Sequence, residues 1–461
     1  MVSFWVYDVG FLVLFSLFVV WFLSSRKKAL SRQGIIFMYR TQFGVDVIKY
    51  VGDNFKWLLH KLKYVIVGVG LVLMGVMVWM LGQTVAIYLL YPEITKVIKA
   101  PPIAPLIPYF PKLFGMESFF PPFYFTYFIV ALAIVAIVHE FSHGIFMRLF
   151  KVRIKSTGLV FLGPILGAFV EQDDKSFQKK KNFEQMAILG AGVFANLIFA
   201  LIFYGLYVAF FFSSFAAAGY VFDSYALAVV PIDSITSMGS DKDDGLIQIY
   251  ASNKTYYLDE GLAVQLTDEN GEYLIAYSEA PAILAKMRGA IIMADDVEIK
   301  NRDDLRWFLQ SREPGDEVVF VTEDVDGTNS YDIVLDEHPE NSSFAYLGVG
   351  NSVAGSGSFV KNFLGKFMGF KDASTYYKPT WDGEFVYFIY HLLWWVMVIN
   401  LLVALFNMLP LGMLDGGRFF YLTILSITKS KKVARLAYGI AGYAILFVFL
   451  LLMFFWFIRI V

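Results

Sequence analysis

The sequence predicts a polytopic α-helical membrane protein with about six transmembrane helices and an inserted soluble domain of mixed α/β structure. Three observations carry that expectation. Of the 461 residues, 57% are hydrophobic and 18% aromatic, whereas a soluble domain is roughly 45–50% apolar. Apolar runs of the length that crosses a bilayer recur at 4–23, 64–91, 123–148, 187–213, 386–411 and 436–458. Between the fourth and fifth runs the composition inverts, with 26 Asp+Glu against 8 Lys+Arg over residues 219–350.

Taken in order, residues 1–63 hold the first span and a basic interfacial segment. No basic n-region precedes that span and no small-residue cleavage site follows it, so it reads as a retained helix rather than a leader. Residues 35–63, mixed apolar and basic, are expected to form an amphipathic helix on the cytoplasmic surface. Residues 64–213 form a transmembrane core. The soluble domain occupies 214–358, with alternating strands such as "DEVVFVTED", turns such as "REPGDE", and a Gly/Ser-rich exit at 350–358. A linker or amphipathic segment at 359–385 returns the chain to the core at 386–461.

Orientation follows from the basic loops. Residues 24–63 carry nine Lys/Arg, 148–183 carry eight and 429–435 carry four, against three in 92–122. The loops after spans one, three and five therefore face the cytoplasm, and both termini and the soluble domain face outward. The net charge of −2 points to no nucleic-acid partner, and the absence of cysteine excludes disulfides, a thiolate nucleophile and sulfur ligation of a metal. Any metal must sit on nitrogen and oxygen.

The stretch "AIVHEFSHGIF", residues 136–146, sets titratable groups at the cytoplasmic end of span three. His139 and His143, four apart on a helix, share one face and can ligate one ion. Glu140, adjacent and slightly rotated, suits a general base acting on a metal-activated water. This is the H-E-x-x-H arrangement of zinc hydrolases. Ionisable groups inside a span are costly, which weighs against a chance match. A third ligand is then needed. Asp415 in "NLLVALFNMLPLGMLDGGRFF", residues 400–420, follows fourteen uncharged residues, with Asn407 eight before it. Pro410 and Gly412 break the helix there, and Gly416–Gly417 allow a tight turn. The orientation puts Asp415 level with the histidines; its competing reading is an interfacial cap on a short following helix.

The two motifs together resemble the site-2 protease family, whose N-x-x-P-x-x-x-x-D-G pattern matches "NMLPLGMLDG". The resemblance implies one Zn2+ per chain on His139, His143 and Asp415, Glu140 as catalytic base, and Asn407 orienting substrate or stabilising the oxyanion. It implies an intramembrane endopeptidase that cuts within or near the transmembrane segment of other membrane proteins, as part of regulated proteolysis. "GLVFLGPILGAFVEQ", residues 158–172, resembles the family's β-hairpin or re-entrant loop, with Gly163, Gly167 and Phe169 as substrate-handling residues. "GAGVFANLIFA" resembles the family's A-G-P-x-x-N segment, with Val193 where proline is common and Asn196 as a packing or hydrogen-bonding residue. The soluble domain is similar to a PDZ domain, with "GLAV" at 261–264 as the candidate carboxylate loop and room for a peptide or substrate ectodomain. It departs from the pattern at "RGAIIMADD", and 219–258 is longer than one such domain needs. His60, His338 and His391 are not expected to be ligands. The expected setting is the bilayer of a prokaryotic cell membrane, with the active site toward the cytoplasm. Two other readings stay open: a membrane zinc peptidase whose third ligand is a downstream glutamate, and a metal-stabilised scaffold that presents the PDZ-like domain.

Overall fold

The computed structural model describes residues 4–90, 101, 106–117, 119–239, 246–259, 272–324, 327–351 and 369–460. Two compact units emerge, Met1–Phe211 with Tyr387–Val461, and Phe212–Val386. Six helices in the described residues are long and apolar enough to cross a membrane. They are α1 Phe4–Ser25, α3 Lys56–Leu90, α4 Phe125–Leu149, α5 Asn182–Ser214, α7 Gly383–Asn407 and α9 Lys431–Ile460. All six expected spans are present, with shifted ends. Helix α3 starts eight residues early because "KWLLHKLK" continues the helix beyond the apolar run, and α7 stops at Asn407, just short of the motif's proline.

The first unit adds two shorter helices, α2 Phe43–Asn54 and α8 Asp415–Thr428, and a four-stranded antiparallel sheet. Its strands, in sheet order, are β1 Leu30–Gln33, β2 Ile36–Thr41, β3 Ile154–Leu162 and β4 Ile165–Gln172. The expected hairpin at 158–172 is thus half of a larger sheet. The expectation of one amphipathic helix over 35–63 is corrected: the segment divides into β2, α2 and the start of α3. Alternating "IFMYRT" finds a partner strand in β3, Phe37 opposite Phe161 and Tyr39 opposite Leu159, and cross-strand packing then decides the local structure. Gly158 makes that pairing possible. A Cβ there would lie 2.1 Å from the Tyr39 carbonyl oxygen and 2.6 Å from the Phe169 ring.

Two apolar clusters grip α4 along its length. Phe125, Phe128, Ala131 and Val135 pack with Phe123, Trp395 and Ile399, while Phe146 and Met147 pack with Ile48, Ile66, Ile188 and Phe419. His139 and His143 fall between them. At the start of α4, Asp8 of α1 is 1% exposed and accepts hydrogen bonds from the Phe125 and Thr126 amides at 2.8 and 2.9 Å. The Tyr109 and Thr126 hydroxyls donate to the same carboxylate, each at 2.6 Å. Tyr124, the residue that should cap the helix, offers no side-chain cap. Asp8 therefore caps α4 from another helix, where its charge also meets the positive end of the helix dipole. At the other end, the Arg148 guanidinium holds the Asp53 carboxyl of α2 below the ordinary carboxylate range through hydrogen bonds of 2.6 to 3.2 Å. That pair is exposed and contributes little to stability.

Replacing Asp8 by alanine strips an acceptor from four buried or part-buried hydrogen bonds at once. We expect a loss of about 2–5 kcal/mol, read as a lower melting temperature in detergent. An Asp8→Ala protein as stable as wild type would contradict the capping role.

The second unit holds two larger antiparallel sheets. One contains β5 Phe215–Tyr220, β11 Ala290–Ala294, β12 Glu317–Asp324, β13 Gly327–Val334 and β14 Thr375–Pro379, in the order β13-β12-β11-β5-β14, with Val297–Glu298 folded back on β11. Helix α6, Arg302–Gln310, packs Leu305 and Phe308 with Val318, Phe320 and Ile333 of this sheet. Asn301 caps α6, its Oδ1 accepting from the Asp303 and Asp304 amides at 2.9 and 3.1 Å. The second sheet runs β6-β10-β9-β8-β7, built from β6 Leu227–Pro231, β7 Ile235–Met238, β8 Leu246–Ala251, β9 Lys254–Asp259 and β10 Tyr273–Ser278. It accounts for the excess length near 219–258. Within the expected linker 359–385, residues 375–379 form β14 and pair with β5. The "GLAV" loop at 261–264 and residues 352–368 lie outside the described residues.

Candidate metal centre

Helix geometry brings His139 and His143 onto one face of α4, each 7% exposed. Their Nε2 atoms are 3.0 Å apart. Asp415 reaches both, its Oδ2 lying 3.1 Å from His139 Nε2 and 3.2 Å from His143 Nε2. Among the described residues these three form the group of His, Asp and Glu that could hold a metal ion. The third member is an aspartate rather than a downstream glutamate.

Asp415 gets there through a close-packed turn. α7 ends at Asn407, the chain loops through 408–414, and Asp415 opens α8, with Leu414 rather than Asp415 at the cap position. The loop folds back onto the first turn of α8. A Cβ on Gly416 would sit 2.3 Å from the Met408 carbonyl carbon, and one on Gly417 would sit 2.1 Å from the Leu411 carbonyl oxygen. The glycine pair is needed for this backbone contact, not only for flexibility. At the N-terminus of α8 the carboxylate also lies where the helix dipole favours negative charge.

Hydrogen bonding places a hydrogen on Nδ1 of His143. Its Nδ1 lies 2.7 Å from the Ile188 carbonyl oxygen. A carbonyl only accepts, so Nδ1 carries the hydrogen, and Nε2 is the ring atom turned toward His139 and Asp415 and open to a metal. Two imidazole nitrogens and a carboxylate oxygen within 3.2 Å of one another converge as they would around a shared hydrogen or a shared cation. In a tetrahedral zinc site, bonds of ~2.0–2.2 Å put ligand atoms about 3.3 Å apart. The observed triangle fits that spacing, and the donor set matches catalytic zinc sites that leave a fourth position open. Gly192 of α5 makes room, since a Cβ there would lie 2.5 Å from His143 Nε2 and 2.8 Å from His139 Cε1.

The cluster opens into a cavity of about 460 Å³ lined by Val135, Glu140, Gly167, Ala168, Val170, Val403, Asn407 and Leu414, among others. Glu140 Oε2 accepts from the Val170 amide of β4 at 3.0 Å. β4 is an outer strand of its sheet, so the cavity is walled on one side by a strand edge. Asn407, the last residue of α7, lines the cavity as well. Of the expected substrate-handling residues, Gly167 lies on the wall. Gly163 forms the hairpin turn with φ of 58°, and the Phe169 ring packs over Gly158; neither is among the cavity residues.

A family model described as Peptidase family M50 matches residues 127–453, well over half of the chain and including every residue of this cluster. The chain belongs to peptidase family M50. Among its relatives, "Uncharacterized protein MJ0971" of Methanocaldococcus jannaschii is 47% identical over 74 residues, covering 16% of this chain and 20% of that protein. "Putative zinc metalloprotease CPE1693" of Clostridium perfringens is 24% identical over 319 residues, covering 67% of this chain and 85% of that protein. The chain thus spans a fifth of the first relative and most of the second. Membership in family M50 agrees with the expectation drawn from the two motifs, and six apolar helices suit a multi-pass member.

Sequence reasoning missed the groups that hold α4, His143 and Glu140 in place. Asp8 carried a signal, a lone acid in an uncharged span, which is costly unless used. The Ile188 carbonyl and the Val170 amide carried none, because they are backbone groups.

Proposed function

We propose that the protein is an intramembrane zinc metalloendopeptidase that hydrolyses a peptide bond within or near the transmembrane segment of other membrane proteins. The observation that carries this reading is the convergence of His139, His143 and Asp415 beside Glu140 in one cavity. Membership in family M50 and the likeness to a protein named as a zinc metalloprotease support it.

His139, His143 and Asp415 would hold the zinc. When bound, zinc supplies Lewis acidity that polarises the scissile carbonyl and eases deprotonation of the attacking water. Glu140, oriented by the Val170 amide, takes the water's proton on its carboxylate and passes it to the leaving amine. Asn407 donates from its amide to the substrate carbonyl as charge develops there. A helical substrate hides its carbonyls in hydrogen bonds, so it unwinds before it is cut, and helix-destabilising residues near the cut are favoured. The outer edge of β4 offers main-chain groups to the unwound strand, and Gly167 lets that strand approach without a side chain between them. On the positive-inside reading the metal cluster would lie toward the cytoplasm, and the second unit, read as PDZ-like, would take a peptide or substrate ectodomain on the outer side; a prokaryotic cell membrane is the proposed setting.

The test is metal content and cleavage of a single-span substrate by the purified full chain. About one zinc per chain is expected, with cleavage stopped by a chelator and restored by added zinc. Cleavage undiminished after complete removal of metal would refute the proposal.

A further inference from the structure

We propose that Asn196 is a positioning residue: its amide oxygen accepts the Nδ1 hydrogen of His139 and so turns the opposite ring nitrogen toward the metal. The inference rests on the zinc reading above and concerns a residue on α5, outside both motifs. Ile188, Gly192 and Asn196 are spaced by four and lie on one face of that helix. Each serves the histidine pair. The Ile188 carbonyl receives His143 Nδ1, Gly192 withholds a Cβ that would strike both rings, and the Asn196 amide lies 3.1 Å from His139 Nδ1.

Asn196 is 0% exposed. In the structure its Nδ2 faces His139 Nδ1 while its Oδ1 is buried without a hydrogen-bond partner. The two orientations of an amide have the same shape, so hydrogen bonding chooses between them. His139 Nε2 points at His143 Nε2 and Asp415 Oδ2, and a neutral ring that offers its lone pair there carries its hydrogen on Nδ1. Two N–H groups cannot face each other. Turning the amide by half a rotation sets Oδ1 against Nδ1–H and gives the orphaned acceptor its donor. Each histidine is then held from behind by an oxygen, a backbone carbonyl for His143 and a side chain for His139. The side chain can be changed by mutation.

The test measures zinc affinity of the detergent-purified full chain by competition with a chromophoric chelator. It is paired with the visible spectrum of the Co2+-loaded protein and with thermal melting of the metal-free protein. Asn196→Ala is expected to weaken zinc about 10–100-fold and to alter the Co2+ bands, whereas Asn196→Asp, which keeps an acceptor, should stay within about threefold of wild type. Asn196→Ala that folds and binds zinc as wild type does would overturn the proposal. If the alanine variant does not fold, Asn196→Asp carries the test alone: a tenfold or greater loss in a protein that melts like wild type overturns the proposal. A wild-type protein that binds no zinc sinks the zinc reading and this proposal with it; the variant results sink only the latter.

Discussion

Asp415→Ala protein is expected to lose stoichiometric zinc and all measurable cleavage. Structural zinc sites of four ligands are worth ~10–16 kcal/mol, so one ligand accounts for roughly 3–4 kcal/mol, about 10²–10³ in affinity. The loss is steeper here because Asp415 is the anion among two neutral imidazoles and lies within 3.2 Å of both. Zinc content by elemental analysis and cleavage of a single-span substrate are the readouts. Asp415→Asn is the informative control, since it keeps the side-chain shape at the start of α8 and removes the charge. If Asp415 acted only as a helix-end residue, the asparagine variant would retain both metal and activity. If a glutamate elsewhere were the third ligand, Asp415→Ala would still carry its zinc.

Glu140→Gln should behave differently. The glutamine keeps the volume and an oxygen able to accept from the Val170 amide, so the protein should fold and retain zinc. What it lacks is the capacity to take a proton. Loss of a positioned general base lowers the rate about 10²–10⁴-fold, so kcat should fall by that factor with KM little changed. The contrast between the two substitutions separates holding the metal from moving the proton. A Glu140→Gln protein that cleaves as fast as wild type would remove the base from the mechanism and favour a scaffold.

Much of the architecture was legible in the sequence because a bilayer imposes length and apolarity, both countable. The six helices follow from that constraint alone. Their ends were less legible, since α3 and α9 extend into basic interfacial residues such as Lys56 and Lys431, where helix continuation is decided by neighbours. Strands β1 and β2 were missed for a related reason. "IFMYRT" lies in a basic stretch and becomes a strand because β3 stands beside it, and β structure depends on its cross-strand partners more than on its own residues.

The candidate site divides the same way. The pair His139 and His143 is a matter of helical spacing, and Asp415 stood out as a charge in an apolar segment. What draws them together is not written in residue types. It lies in the Gly416–Gly417 contact with the preceding loop, in Gly192 under the two rings, and in the Ile188 carbonyl. Asp8 carries the same signal as Asp415, a carboxylate in an otherwise apolar segment.

The sequence distance between the members of the metal cluster also sets when it can exist. His139 and Asp415 are 276 positions apart, and at ~5–20 residues per second a ribosome needs roughly a quarter-minute to a minute to cover that gap. Throughout that interval the two histidines exist without their acidic partner. On the proposed function a nascent chain would therefore lack hydrolytic competence until the loop after α7 has folded back and brought Asp415 to the histidines.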